Sequence, residues 1–290
     1  MAPEVPVPTL NQQLGFAEDA KLLLINADDA GMCHAANLGT IRALEAGMVK
    51  STTVMAPCPW APEIAAFLRA NPQFHCGIHL TVTSEWDHYR WGPVAGRERV
   101  PSLLDVEGYF NRSEADFFAQ AKHAEVEIEF RAQIERVLAW GLKPTHLDSH
   151  MGAYHWDEDI FQIAKSLARE FGLTMRIGYN PRRLIMRQEG WAVVDRLWFD
   201  TYDVPVEQRK SYYEGFLAQC EPGVTELVIH CGIASDELTA ICGATAAHRA
   251  FDMEFFSSPE TKQLLADLNI TCIDYRMLQE LTNRQLTQDG

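Results

Sequence analysis

Hydrophobic residues follow two alternating rhythms along this chain: short unbroken apolar runs, and longer stretches with an apolar position every three or four residues. The first run, residues 22–25, has strand length and no helical period, and it ends abruptly in Asn26, Ala27, Asp28, Asp29, Ala30 and Gly31. It reads as a buried strand that carries two adjacent carboxylates to its C-terminal end. Residues 35–46 show helical spacing and stop at Gly47, the residue expected just past a helix C-terminus. A second strand is predicted over 50–56 and a tight bend over 57–62. A short helix over 63–70, ended by Asn71-Pro72, leads to a third strand over 74–82 with His79 near its end.

Residues 83–112 break the rhythm, with Trp86, Tyr89, Trp91, Tyr109 and Phe110 among Gly92, Gly96 and Gly108. Long ordered loops of this kind are usually functional. Two readings stand: a lid whose aromatic faces stack on a sugar ring, or a loop that fills its own small core. Residues 113–141 read as one long helix, opened by Ser113 with acids in the first turns. Residues 145–150 follow as a strand, and because side chains two apart share a face, His146, Asp148 and His150 project together. The remaining pattern gives a helix (157–171), a strand (173–177), a mixed region (178–204), a helix (205–220) and a strand (225–230) ending in His230. An irregular loop to Thr245, a helix from near Ser258-Pro259, a strand (270–275) and a terminal helix complete it.

Alternating strands and helices call for a parallel sheet. Seven or so units within residues 21–290 close naturally as a single distorted α/β barrel, complete or lacking one strand. Residues 1–20 are Pro-rich, with neither the basic start nor the apolar core of an export signal, and read as a flexible arm, loose or docked on a neighbouring subunit of a homo-oligomer.

Composition narrows the partners. With 25 Lys and Arg against 40 Asp and Glu, the formal charge of -15 repels polyanions, so nucleic acid and anionic membranes are excluded in favour of a small neutral or cationic substrate. Seven scattered cysteines without a Cys-x-x-Cys pair point to reduced thiols in the cytoplasm and away from a Cys-ligated zinc. No apolar stretch is long enough to span a membrane.

Catalytic groups in parallel α/β folds gather where the strand-to-helix loops open, at the C-terminal strand ends. Asp28 and Asp29 repel one another there unless a positive charge lies beside them, and a divalent metal is the economical candidate, with one acid as ligand and the other as base. His79 and the three residues of the 145–150 strand supply further ligand-type side chains at similar strand ends.

The stretches NADDAG (26–31), GIHLTVTSEW (77–86) and PTHLDSH (144–150), with EAGMVKSTTVM (45–55), resemble the YdjC-type carbohydrate deacetylases, the family that includes chitooligosaccharide deacetylase and hopanoid-associated sugar deacetylases. The likeness runs over residues 21–280. It implies a polysaccharide-deacetylase-like distorted (β/α) barrel, a divalent metal held by one Asp and two His, and removal of an acetyl group from an N-acetylated sugar. Position by position, it implies Asp29, His79 and His150 as ligands and Asp28 as catalytic base. Where the family commonly continues the third motif with further histidines, this chain has Met151-Gly152-Ala153-Tyr154, so the substrate side does not carry over.

Amide hydrolysis needs activated water, which a divalent ion with three protein ligands and open positions provides. His230 is the candidate acid for the leaving amine, against a structural place at the barrel mouth. Asp148 and His146 are expected to orient the ligand imidazoles by hydrogen bonds, and Trp86, Tyr89, Trp91 and Arg176 to contact substrate. Asp and His donors suit zinc or magnesium, and also manganese or cobalt. Two other functions compete. A metal-dependent phosphoesterase usually wants a cationic or glycine-rich phosphate cradle, and glycine-rich phosphate motifs are absent from the sequence, while a non-catalytic sugar-binding protein has no need of Asp28.

Overall fold

The computed structural model describes residues 8–178, 180–198 and 203–288. Among them run eight strands: β1 (Lys21–Ala30), β2 (Ser51–Val54), β3 (His75–Leu80), β4 (His146–Ser149), β5 (Thr174–Met175), β6 (Arg196–Trp198), β7 (Gly223–His230) and β8 (Ile270–Ile273). All pair in parallel, in the order β5-β4-β3-β2-β1-β7-β6. β1 is long enough to hold two neighbours along one edge, β8 beside residues 21–24 and β2 beside 26–30, while β7 follows its other edge. The sheet curls into a half-barrel wrapped by helices, and no pairing joins β5 to β6 among the described residues. This is the expected distorted barrel, left open at one seam.

The apolar run of β1 does not alternate because both of its faces are covered. Leu23 and Ile25 belong to the main core, whereas Leu22 and Leu24 pack with Tyr275, Leu278 and Leu281 of the terminal helix Tyr275–Gln288. Helix His34–Ala46 ends where predicted, with Gly47 at φ 87°.

Three expectations are corrected. The long helix is two, Glu114–Gln120 and His123–Ala139, because Ala121 and Lys122 are extended. The break is pinned by Ser102, whose Oγ accepts from the Lys122 N–H at 3.0 Å and whose N–H donates to Glu125 at 2.6 Å. Helices Asp236–Cys242 and Ala246–Ser257 occupy residues read as loop or left unassigned. The first is too short for a periodic signal, and the second buries Arg249 and Asp252 along with its apolar residues, which blurs the amphipathic pattern. The N-terminal arm is not loose over residues 8–20. Thr9 caps a turn of helix at Leu10–Gln13, buried Asn11 donates to the carbonyls of Ala17, Glu18 and Ala20, and Leu10, Leu14 and Phe16 pack on the Leu22 cluster. Residues 1–7 lie outside the described residues. No described helix is long and apolar enough to cross a membrane.

Candidate metal centre

In a regular strand the side chains of Asp28 and Asp29 would point to opposite faces. β1 escapes this by a bulge: its register with β2 slips between Ala27 and Ala30, which face Thr52 and Val54, so β1 holds one extra residue. Asp29 takes up the distortion at φ 63°, a left-handed conformation that a non-glycine residue adopts only where its surroundings impose it. The bulge re-aims one acid, and both finish buried at the same end of the barrel.

Asp29 Oδ1 lies 3.2 Å from His79 Nε2 and 3.3 Å from His150 Nδ1. The opposite nitrogen of each ring is backed by an acid: His79 Nδ1 lies 2.7 Å from Asp148 Oδ2, and His150 Nε2 lies 3.0 Å from Glu85 Oε2. Carboxylates behind imidazoles are how metal-ligating histidines are oriented. Asp29 Oδ2 is held by Arg249 Nη2 at 2.6 Å, whereas the buried Oδ1 accepts no hydrogen bond among the described residues. Oδ1 thus faces only the two imidazole nitrogens, at distances that leave room for an ion bonded to all three. The three donor atoms lie within 4.8 Å of one another, and metal–ligand bonds of about 2 Å in a tetrahedral arrangement place donors a little over 3 Å apart. Asp29, His79 and His150 therefore fit a divalent ion. A second grouping, Asp28, His79 and Asp148, meets the same distance limit, but both its acids are already paired with Arg176.

The protonation of these groups follows from their neighbours. Burial opposes charge on His79, but Asp148, Asp29 and Asp28 outweigh it and push the imidazole up to about 9; Glu85 and Asp29 likewise push His150 up to about 10 against its burial. A cation has to displace those protons to bind. Burial raises Asp29, yet Arg249, His150 and His79 hold its carboxyl well below the usual range.

Asp28 is fixed on every side. Its Oδ1 accepts from Asn26 Nδ2 (2.6 Å), Thr53 Oγ1 (3.1 Å) and Arg176 Nη2 (2.9 Å), and its Oδ2 from Arg176 Nη1 (2.6 Å). Against the opposing effect of burial, Arg176 and then His79 keep this carboxyl below its ordinary range. Arg176, which the sequence suggested as a substrate contact, is instead built into the buried polar network. It is 5% exposed, and its guanidinium is taken up by Asp28, Asp148 and Glu226.

His146 is a second correction. It contacts neither ligand imidazole; its Nδ1 meets Thr145 Oγ1 at 2.9 Å and its ring stacks on Tyr275 with centroids 3.5 Å apart. His146 shares the face of Asp148 but sits two residues deeper, about 6.6 Å down the strand. Gly77 makes room for it, since a Cβ there would collide with the ring.

The aromatic loop also departs from expectation. Trp91 is 2% exposed, donates its indole N–H to the Thr83 carbonyl at 2.8 Å and packs edge-on against His150. Tyr89 donates to the Met32 carbonyl at 2.6 Å, and Trp86 and Tyr89 both lie half-buried on the core. Glu129 accepts the N–H groups of Val94 and Ala95, and Gln133 bonds Thr81 on both backbone groups. The loop has no separate core of its own: Trp91, Leu103 and Phe110 join the main core of the barrel, so Trp91 offers no face to a sugar.

His230 ends β7 in register with Asp28, and its backbone N–H donates to Asp252 at 3.1 Å. Burial lowers its imidazole below the ordinary value although Asp29 and Asp28 pull the other way, which keeps it neutral at neutral pH. Two residues of the site went unread in the sequence. Glu85 stands inside the GIHLTVTSEW stretch, where an acid shortly after a ligand histidine was the available signal. Arg249 lies on a helix that the pattern did not reveal.

The family model for YdjC-like protein matches residues 22–267. Among curated relatives, the carbohydrate deacetylase of Geobacillus stearothermophilus is 34% identical over 89% of this chain and 98% of its own length. The chitooligosaccharide deacetylase of Yersinia enterocolitica is 28% identical over 86% of this chain and 95% of its own. A solved structure from Enterococcus faecalis V583, named for cellobiose-phosphate cleavage, superposes with a TM-score of 0.76 at 28% identity, covering 89% of this chain and 99% of that one.

Proposed function

Because the chain belongs to the YdjC-like protein family, we propose that it is a carbohydrate deacetylase that hydrolyses the acetamide of an N-acetylated sugar, with a divalent ion held by Asp29, His79 and His150. The observation that supports this reading best is the convergence of one oxygen of Asp29 and two carboxylate-backed imidazoles at the open end of the barrel.

When bound, such an ion supplies Lewis acidity toward an amide carbonyl and makes water a nucleophile at neutral pH. The chain's own residues manage the protons. Asp28 remains a carboxylate, and Oδ2 is its less encumbered oxygen, with one guanidinium donor against three donors on Oδ1. It accepts the proton of the attacking water at that atom. Arg176 holds the acid in place and keeps it ionised, ready to accept, and the proton that Asp28 takes up passes to His230. His230, neutral at rest and level with Asp28 across the β1–β7 pair, takes up that proton as an imidazolium and gives it to the leaving amine. Asp148 and Glu85 hold the two ligand imidazoles in orientation.

A phosphoesterase reading is less well supported, because Arg176 and Arg249, the cations beside these acids, are paired with carboxylates rather than open to a phosphate. Acetate release from N-acetylated mono- and oligosaccharides, run beside phosphate release from phosphorylated disaccharides, separates the readings. Acetate from at least one amide substrate is expected. Phosphate release without acetate would replace this reading with the phosphoesterase, and saccharide binding with neither product would make the chain a binding protein.

A further inference from the structure

The loop expected to stack on substrate buries its rings, yet an aromatic pair stands exposed on the same end of the barrel. Trp60 is 38% exposed and the His34 side chain 42% exposed, with ring centroids 4.8 Å apart and planes at 36°. We infer that Trp60 and His34 form a stacking surface for the sugar ring next to the one that loses its acetyl group, so that the substrate has two or more sugar units. This rests on the deacetylase reading above and adds the extent of the substrate to it.

The pair is built rather than incidental. His34 opens the helix after β1, and Trp60 stands at the N-cap of the helix Ala61–Ala70 after β2. Glu63 fixes the His34 ring through Nδ1, with its two oxygens at 2.9 and 3.0 Å. Asn37 gathers the rest: its Oδ1 accepts from the Gly31 N–H at 2.6 Å, and its Nδ2 donates to the Trp60 carbonyl at 2.9 Å and to Glu63 at 2.7 Å. A Cβ on Gly31 would sit 2.9 Å from Ala61 Cα, and Gly31 holds φ 94°. The backbone beside Trp60 is therefore locked against a residue two positions beyond Asp29.

Rigid, half-exposed aromatic faces gain by covering their apolar surface, and the C–H face of a pyranose does this while its hydroxyls stay hydrated. The ligand residues are almost fully buried, whereas Trp60 lies outside that shell, six positions past the end of β2, facing solvent. What it touches is the portion of a substrate that projects from the centre. Trp156, 69% exposed on the segment after His150, has no ring partner among the described residues and serves as the control.

The test compares kcat and KM for acetate release from an N-acetylated monosaccharide and its di- and trisaccharide homologues in wild type, Trp60→Ala, Trp60→Phe and Trp156→Ala. Trp60→Ala is expected to raise KM for the disaccharide about 3- to 10-fold, the range of an aromatic contact, and to raise it less for the monosaccharide. Trp60→Phe is expected to recover most of the loss. Tryptophan fluorescence gives a readout independent of turnover: the disaccharide alters the signal of chelated wild type and not that of chelated Trp60→Ala. An equal effect on mono- and disaccharide, no effect on either, or an effect confined to Trp156→Ala overturns the inference. If wild type releases no acetate from any sugar, the deacetylase reading fails, and the fluorescence titration still decides the stacking surface.

Discussion

His79→Ala and His150→Ala are each expected to lose the ion and the turnover together. Three protein ligands are close to the minimum for a catalytic ion. Here the third, Asp29, offers only Oδ1, since Oδ2 is committed to Arg249. Removing either imidazole leaves two donors, and the carboxylate behind the deleted ring loses its imidazole, although Asp148 keeps Arg176. Metal content after dialysis and acetate release on one sample of each variant provide the check. A variant that kept stoichiometric metal and near-normal kcat would remove its histidine from the ligand set.

The second large effect divides the labour between adjacent acids. Asp28→Asn is expected to retain the ion, because the three donors are untouched, and to lower kcat by roughly 10²–10⁴-fold, as the loss of a general base does. Asp29→Asn is expected to weaken the ion itself, since a neutral amide is a poorer ligand for such a cation. Asp28 is also a partner of the buried Arg176, and breaking a buried pair costs about 3–5 kcal/mol. The Asp28 variant must therefore be compared at a temperature where circular dichroism shows it folded. Loss of metal from Asp28→Asn, with Asp29→Asn still loaded, would reverse the two roles.

Much of this was legible in the chain because strand ends are easy to read. The unbroken apolar run of β1 announced a strand covered on both faces, and it delivered its acids to the open end. The adjacency of Asp28 and Asp29 concealed a problem that only the bulge and the left-handed Asp29 solve, and no one-dimensional pattern encodes that register slip. Alternation placed His146 and Asp148 on one face correctly but carried no depth, so it could not tell the residue beside His79 from one stacked on Tyr275. Arg176 and Trp91 are buried for a reason the sequence does not carry: residue type shows what a side chain can do, whereas its buried partners fix what it does. Arg249 stayed hidden because a buried charge removes its helix from the amphipathic template.

Counting metal and acetate on one preparation of the wild-type protein tests the central claim most directly. One divalent ion per chain is expected, with acetate release from an N-acetylated sugar falling as a chelator removes the ion and returning in proportion to occupancy when it is restored. Undiminished acetate release from the chelated, metal-free protein would contradict it.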